Sequence, residues 1–480
     1  MKKNFSYLLL FYEYLRLRGK KFLIVILFFT GVCSAQQSEG KFLNFSDLHF
    51  DPFYDSTIVT ELINSDFTEW ENIFLNSKVQ KINIYKSDSN FPLFKSSMEE
   101  MSSRIPDPDF IIITGDFMGH DFSNEYIKFS GINNTDSIYS FKAKTIKFIT
   151  SYILKYYPHT LIFPSIGNND DFCGNYKITP EGDFLKLISE LWEPLVNTAG
   201  SNNENFREDF SKGGYCILNF PGISNFKMIL LNTIYFSPKY LNQCGDTLTD
   251  PGMEELQWLD SVLQQNTKPG FKVMLSYHIP PGADIYGTIH GKGDCREKIF
   301  TAWKEEYSKP FIRIINKYSN VISSQFAGHF HRDDFRVFYD RLDPVSFIHI
   351  TPSISPIYDT NPSYQIFYYD RSESGIALTN YETYYLKDIE TDEPYWTFEY
   401  DFNKSYEVSS VTPASMHSVS EKIFNDEKYK NRYIEYYTSM NNAMTEKDMS
   451  SWRYNWCGLG HLTKNDYAQC MCRDSVNAGK

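Results

Sequence analysis

The stretch Phe326-Ala327-Gly328-His329-Phe330-His331-Arg332-Asp333-Asp334-Phe335 decides how this chain is read. It follows a run, Val321–Phe326, that reads as a buried strand. His329 and His331 stand at i and i+2, and in an extended chain such side chains point the same way. Both imidazoles are therefore expected to face one site, with Gly328 allowing a tight turn beside them. Two neutral imidazoles on one side suit a borderline metal such as zinc.

Four other stretches repeat the arrangement of polar ligands at a strand end. The apolar run Lys41–Ser46 leads into Asp47-Leu48-His49. Phe110–Thr114, continuous in isoleucine and so expected to be buried on both faces, leads into Gly115-Asp116, with His120 shortly after. Thr160–Ile166 ends in Gly167-Asn168-Asn169-Asp170, and Lys272–Tyr277 delivers His278. Strand ends of layered α/β folds gather at one rim, so these distant residues can converge. Asp47, His49, Asp116, Asn168, His278, His329 and His331 offer seven nitrogen and oxygen donors, one of them a carboxylate able to bridge. That set suits two divalent cations better than one. Such a pair activates a bridging water and neutralises phosphoryl oxygens during in-line displacement.

Between these strands, helices are expected over Ser140–Tyr157, Gly182–Glu193, Met253–Gln265 and Ile299–Tyr318. Tyr215–Phe220 and Lys227–Asn232 read as a strand pair, and Phe335–Tyr339, Ser346–Thr351 and Tyr364–Tyr369 as later strands. The alternation gives an α/β fold of layered sheets. Pro52–Phe94 reads as a long polar insertion beside the site, with a short helix near Glu69–Leu75. The pattern breaks around Lys387–Ser410, after which Glu421–Tyr437 and Thr445–Tyr454 read as helices of a small cysteine-bearing appendage.

At the front, basic Met1–Lys21, apolar Phe22–Val32 and the small residues Cys33-Ser34-Ala35 read as a signal peptide cleaved after Ala35. The eleven-residue apolar run is short for a membrane span. A secreted or lumenal protein is expected, organised as residues 1–35, 36–390 and 391–480. Removing residues 1–35 takes away six basic side chains and Glu13, which moves the formal net charge from −13 to −18. Such acidity argues against a nucleic-acid groove. Membrane contact and oligomeric state are left open. Cys173, Cys216, Cys244, Cys295, Cys457, Cys470 and Cys472 remain, of which most should pair in an oxidising compartment. Their pattern points to Cys244–Cys295 and Cys457–Cys470 disulfides. Of three glycosylation sequons, Asn44 lies in an expected core strand, while Asn133 and Asn403 lie in polar surroundings.

Asp47-x-His49, Gly115-Asp116, Gly167-Asn168, His278 and Gly328-His329-x-His331 together resemble the five-block signature of the calcineurin-like metallophosphoesterases. Within them the chain is similar to the acid sphingomyelinase-like phosphodiesterases, through Ser46–Pro52, Asp250-Pro251-Gly252, Leu256–Leu259, His278–Gly282 and Gly328–Phe335. The resemblance spans roughly residues 41–385, and Trp452–Cys472 resembles that branch's helical C-terminal extension. It implies a β-sandwich metallophosphoesterase domain flanked by helices, and two zinc ions as cofactors. It also implies that Asp47, His49 and His331 bind one metal, that Asn168, His278 and His329 bind the other, and that Asp116 bridges. His120 matches a histidine that lies beside the phosphate in this branch and helps protonate the leaving oxygen. The implied substrate is a small-molecule phosphodiester, nucleotide or polyphosphate.

Two departures qualify this. Asn169 stands where most relatives have a histidine; an amide can hydrogen-bond a phosphoryl oxygen but cannot supply a proton. The enzyme is therefore expected to favour phosphoanhydrides or to rely on His120 alone as its acid. The Gly-Asn-Asn-Asp block also resembles endopolyphosphatases, a second reading. Few residues separate Ala35 from Asp47, leaving no room for a saposin-like lipid-extracting domain and lowering membrane sphingomyelin as the substrate. A third reading is a catalytically quiet secreted protein that keeps its metals for structure and binds a partner.

Overall fold

Residues 38–198, 200–241, 249–267, 270–372 and 375–472 are described in the computed structural model. The expected signal peptide and the residues around Cys244 lie outside them. Strands β1 (Ser38–Phe45), β2 (Phe110–Ile113) and β3 (Leu161–Pro164) appear where the apolar runs are. So do β4 (Cys216–Asn219), β5 (Phe226–Leu230), β6 (Lys272–Ser276) and β7 (Ile322–Ala327). β8 (Asp334–Asp340), β9 (Asp343–Ile350), β10 (Ser363–Ser372), β11 (Gly375–Lys387) and β12 (Tyr395–Asp401) follow.

They form two six-stranded sheets, ordered β12-β11-β10-β1-β2-β3 and β4-β5-β6-β7-β9-β8. β1, β2 and β3 run parallel, as do β5, β6, β7 and β9. All four residues of β2 and of β3 are buried, as strands covered on both faces require. Aromatic rings join the two sheets. Phe42 of β1 stacks on Phe110 and Phe367 of its own sheet at 4.3 and 5.0 Å, and meets Phe326 of β7 edge-on at 5.6 Å. Each such pair contributes about 0.5–1.5 kcal/mol beyond its buried area. The α/β sandwich is as expected, and its parallel strands deliver their C-terminal ends to one rim.

The helical expectations need adjustment in several places. Helix 305–317 starts later than Ile299, because residues 299–304 are bonded to the loop after β6 instead. There Trp303 Nε1 donates to the Ile279 carbonyl and Ala302 N to that of Gly282, each at 2.9 Å. The run Glu421–Tyr437 belongs to two helices, 413–425 and 427–437, divided at Asp426, whose extended backbone ends one and whose side chain caps the next. Likewise Ser450-Ser451 separates helices 442–449 and 452–460 inside Thr445–Tyr454. Two longer elements were not anticipated, helix Phe91–Arg104 and strand β11.

Helices 413–425 and 452–460 pack on β8 and β9. The segment directly after His331 is bonded to the other sheet and to helix 427–437. Asp333 accepts hydrogen bonds from Tyr400 (2.7 Å) and Gln365 (3.0 Å), while Asp334 pairs with buried Arg336 and accepts from Tyr433 at 2.9 Å. Cys457–Cys470 forms a disulfide as expected, but Cys295 pairs with Cys472 rather than Cys244. Spacing in sequence could not show this, because the last helix, 464–471, folds back over residues 285–299. Asn44 is fully buried and donates to Thr351, and the Asn403 amide donates to the Thr379 carbonyl. Asn133, in contrast, is exposed.

Candidate active site

Each stretch singled out above leaves its strand at the same rim, and the loops are tied to one another before any side chain is considered. Asp47 N, His49 N and Phe50 N donate to the carbonyls of Gly115, Asp116 and Phe117 at 3.0, 3.0 and 2.8 Å. Gly328 N donates to the His278 carbonyl at 2.9 Å. The loops pass so closely that a Cβ on Gly167 would lie 2.0 Å from the Asp116 nitrogen, and one on Gly328 2.1 Å from Ser46 Oγ. Gly328 is thus required for space rather than for a left-handed turn.

The left-handed turns fall on the candidate ligands themselves. Asp47, His49, Asp116, His329 and His331 have φ of 50°, 43°, 55°, 73° and 58°. Each such non-glycine conformation costs on the order of 1–3 kcal/mol and persists only where surrounding bonds fix it. It also corrects the extended reading of Gly328–His331. His329 and His331 reach one site but opposite halves of it.

In the first half, His331 Nε2 lies 3.3 Å from Asp47 Oδ1 and 3.0 Å from His49 Nε2, and His49 Nε2 lies 3.4 Å from Asp116 Oδ2. In the second, His278 Nε2 is 3.2 Å from Asp116 Oδ2 and 3.1 Å from Asn168 Oδ1, with His329 alongside. Asp116 therefore stands between the halves. The Nδ1 atoms of His278 and His49 face the Thr114 and Met118 carbonyls at 2.7 and 3.2 Å, which leaves each Nε2 for the site. Asn168 Nδ2 donates to Asn175 Oδ1 at 2.8 Å, so its carbonyl oxygen is the atom turned inward.

Burial opposes charge on His49, but the carboxylates of Asp116 and Asp47 overcome it and push its pKa up to about 9. His278 rises to about 9 against the same burial, through Asp116. Burial, with His278 charged nearby, drives His329 well below its ordinary value, and burial beside His49 does the same to His331. Despite its own burial, Asp116 is held well below the carboxylate range by His278 and His49. Buried imidazole nitrogens meeting tip to tip around the Asp47 and Asp116 carboxyl oxygens are a donor set that fits divalent metal ions.

His120 and Asn169 join the same place. His120 stacks on His49 with ring centres 4.1 Å apart, while Tyr358 OH lies 3.4 Å from its Nε2. The Asn169 backbone and side-chain nitrogens donate to Asp116 Oδ1 and Oδ2, both at 2.8 Å, so the amide grips the central carboxylate. Sequence reasoning missed three supporting groups. Asp88, inside the polar insertion, accepts from His120 Nδ1 at 2.9 Å and from His120 N at 2.6 Å. Asp170 accepts from Gly167 N, Phe117 N and Met118 N, locking the loops after β2 and β3 together. Tyr176 OH lies 3.4 Å from His329 Nε2.

Residues 40–333 match the family described as calcineurin-like phosphoesterase, and residues 343–477 the acid sphingomyelin phosphodiesterase C-terminal region. Among curated proteins the chain is 28% identical to acid sphingomyelinase-like phosphodiesterase 3b of Mus musculus, over 92% of this chain and 91% of that protein. It is 25% identical to the cyclic GMP-AMP phosphodiesterase SMPDL3A of Homo sapiens, over 90% of each. It is 29% identical to sphingomyelin phosphodiesterase 2 of Caenorhabditis elegans, over 74% of this chain and 54% of that one. The chain belongs to the calcineurin-like phosphoesterases, as a hydrolytic enzyme with an acid sphingomyelinase-type C-terminal region.

Proposed function

We propose that this protein hydrolyses small-molecule phosphodiesters or phosphoanhydrides with two zinc ions. Asp47, His49 and His331 would hold one, Asn168, His278 and His329 the other, and Asp116 would lie between. The observation that carries the reading is Asp116 Oδ2 standing 3.4 and 3.2 Å from the Nε2 atoms of His49 and His278, with a ligand trio on either side. The four histidine nitrogens, His49, His278, His329 and His331, favour zinc over magnesium or calcium. Held there, the metal pair would supply a water nucleophile at neutral pH and charge for the phosphoryl oxygens.

The chain's own residues do the rest. Asp88 accepts from His120 Nδ1 and orients the ring, so that the imidazolium form would present its Nε2 proton to the departing oxygen and be left as the neutral Nδ1-H imidazole. Tyr358 OH, next to that nitrogen, marks where the leaving group sits. Asn169 cannot donate a proton usefully, and its amide spans the Asp116 carboxylate, steadying the central ligand. The relatives' names cover cyclic GMP-AMP and sphingomyelin, both phosphodiesters. The Cys295–Cys472 and Cys457–Cys470 disulfides support an oxidising, secreted or lumenal location, and no helix among the described residues is long and apolar enough to cross a membrane. The strands and helices of residues 36–390 would form the catalytic domain, with 391–480 as its extension.

The reading is tested by turnover of bis(p-nitrophenyl) phosphate with and without chelator, with metal content counted in the same sample. Chelator-sensitive turnover with two zinc per chain is the expected result; activity that survives complete metal removal would contradict it.

A further inference from the structure

On the open side of the second half lies a lysine that the catalytic reading does not use. Residues 237–241 are bonded to the segment that carries Tyr176. Leu241 N donates to the Tyr176 carbonyl at 2.9 Å and Tyr240 OH to the Ile178 carbonyl at 3.0 Å. This holds the exposed Lys239 with its Nζ 5.2 Å from the centre of the Tyr176 ring, whose hydroxyl in turn touches His329. The ammonium is thus one tyrosine ring away from a metal ligand, and its charge is among those that disfavour protonation of His329.

Among the described residues the Lys239 ammonium has no carboxylate partner and donates no hydrogen bond. That is notable in a chain of net charge −13, where lysines such as Lys95, Lys155, Lys317 and Lys428 are paired with acids. The nearest acids that bear on Tyr176 are already engaged. Asp116 lies inside the ligand ring, and Asp284 caps helix 285–290 by accepting from Gly287 N at 2.8 Å. A cation held beside a divalent metal pair is repelled by it, and an anion spanning both relieves that repulsion. Tyr358, 46% exposed, stands at right angles to the His331 and His120 rings and brings no charge to the site.

We propose that Lys239 is a specificity-determining residue that binds an anionic group of the substrate lying beyond the scissile phosphate. The site then favours polyanionic substrates over diesters with a cationic choline tail. This rests on the phosphohydrolase reading, because it needs the scissile phosphate on the metal pair.

The test is calorimetric binding to the zinc-loaded full chain, so that it does not depend on turnover. The probes are adenosine 5′-(α,β-methylene)diphosphate and phosphocholine. Lys239→Ala should weaken the methylene-diphosphate about tenfold and Lys239→Glu further, while Lys239→Arg stays within about twofold of the parent. Phosphocholine affinity should change less than about twofold in Lys239→Ala. Zinc content and thermal unfolding of each variant show that the fold is intact. Equal losses for both probes, no loss for either, or no binding of the methylene-diphosphate by the parent would each overturn the assignment. Chelator-sensitive turnover of bis(p-nitrophenyl) phosphate by the parent, measured in parallel, judges the phosphohydrolase reading separately.

Discussion

On one side of Asp116, Asp47, His49 and His331 close up against His120, with Asp88 and Tyr358 behind it. On the other, Asn168, His278 and His329 lean on Asn175 and Tyr176, with Lys239 beyond. The ligands are alike. Each half pairs a histidine raised to about 9 with one driven well below its ordinary value. The surroundings differ, with the His120 imidazole on one flank and the Lys239 ammonium on the other. On the proposed reading, the first half lets a leaving group depart and the second holds an anion.

Breaking what the halves share should have the largest effect. Asp116→Asn removes the common carboxylate, and turnover of bis(p-nitrophenyl) phosphate should fall to background with less than the full zinc content by elemental analysis. Disabling only the first flank should be more selective. Asp88→Asn should lower turnover of an alkyl phosphodiester about 10²-fold, as expected for a mispositioned general acid, and that of the p-nitrophenyl diester by less than about tenfold. Equal losses on the two would assign Asp88 a purely structural role.

Adding an acid should act in the opposite sense. Asn169→His should raise the ratio of alkyl-diester to anhydride turnover by about tenfold or more, and an unchanged ratio would remove Asn169 from any account of leaving-group preference. On the second flank, Tyr176→Phe deletes the hydroxyl beside His329 and should weaken the looser-bound zinc about tenfold in a chelator competition. The smallest effect compares the halves by pH. Stripped of metal, the protein keeps protons on His49 and His278 below about pH 9. Zinc must displace them, so its affinity should rise with pH up to about 9 and then level off. Calorimetry at pH 7 in buffers of different ionisation enthalpy should find about two protons released per chain, one from each half.

That the seven candidate ligands converge was legible because each follows a short apolar strand, and parallel strands bring such ends to one rim. The groups that tune them were not. Asp88 is 32 residues from His120, in a stretch whose composition reads only as polar. Tyr176 meets His329 across 153 residues, and no local pattern announces either contact. Helix Phe91–Arg104 did carry a signal, since Phe91, Phe94, Met98 and Met101 are buried at helical spacing, but serines between them and Pro92 obscured it. β12 was hidden for a different reason. It is the edge of its sheet, with Tyr395 and Phe398 exposed, so apolar residues there do not report burial. The positive φ at five ligands was equally invisible, because tertiary bonds rather than residue type impose it.

On the proposed reading Asp116 joins two metal sites into one catalytic centre. This is tested most directly by titrating zinc into the chelator-stripped protein while following turnover of bis(p-nitrophenyl) phosphate. The account predicts that activity reaches its maximum only at two zinc per chain, and that Asp116→Asn never reaches it. Full activity at one zinc per chain, or an active Asp116→Asn protein, would contradict it.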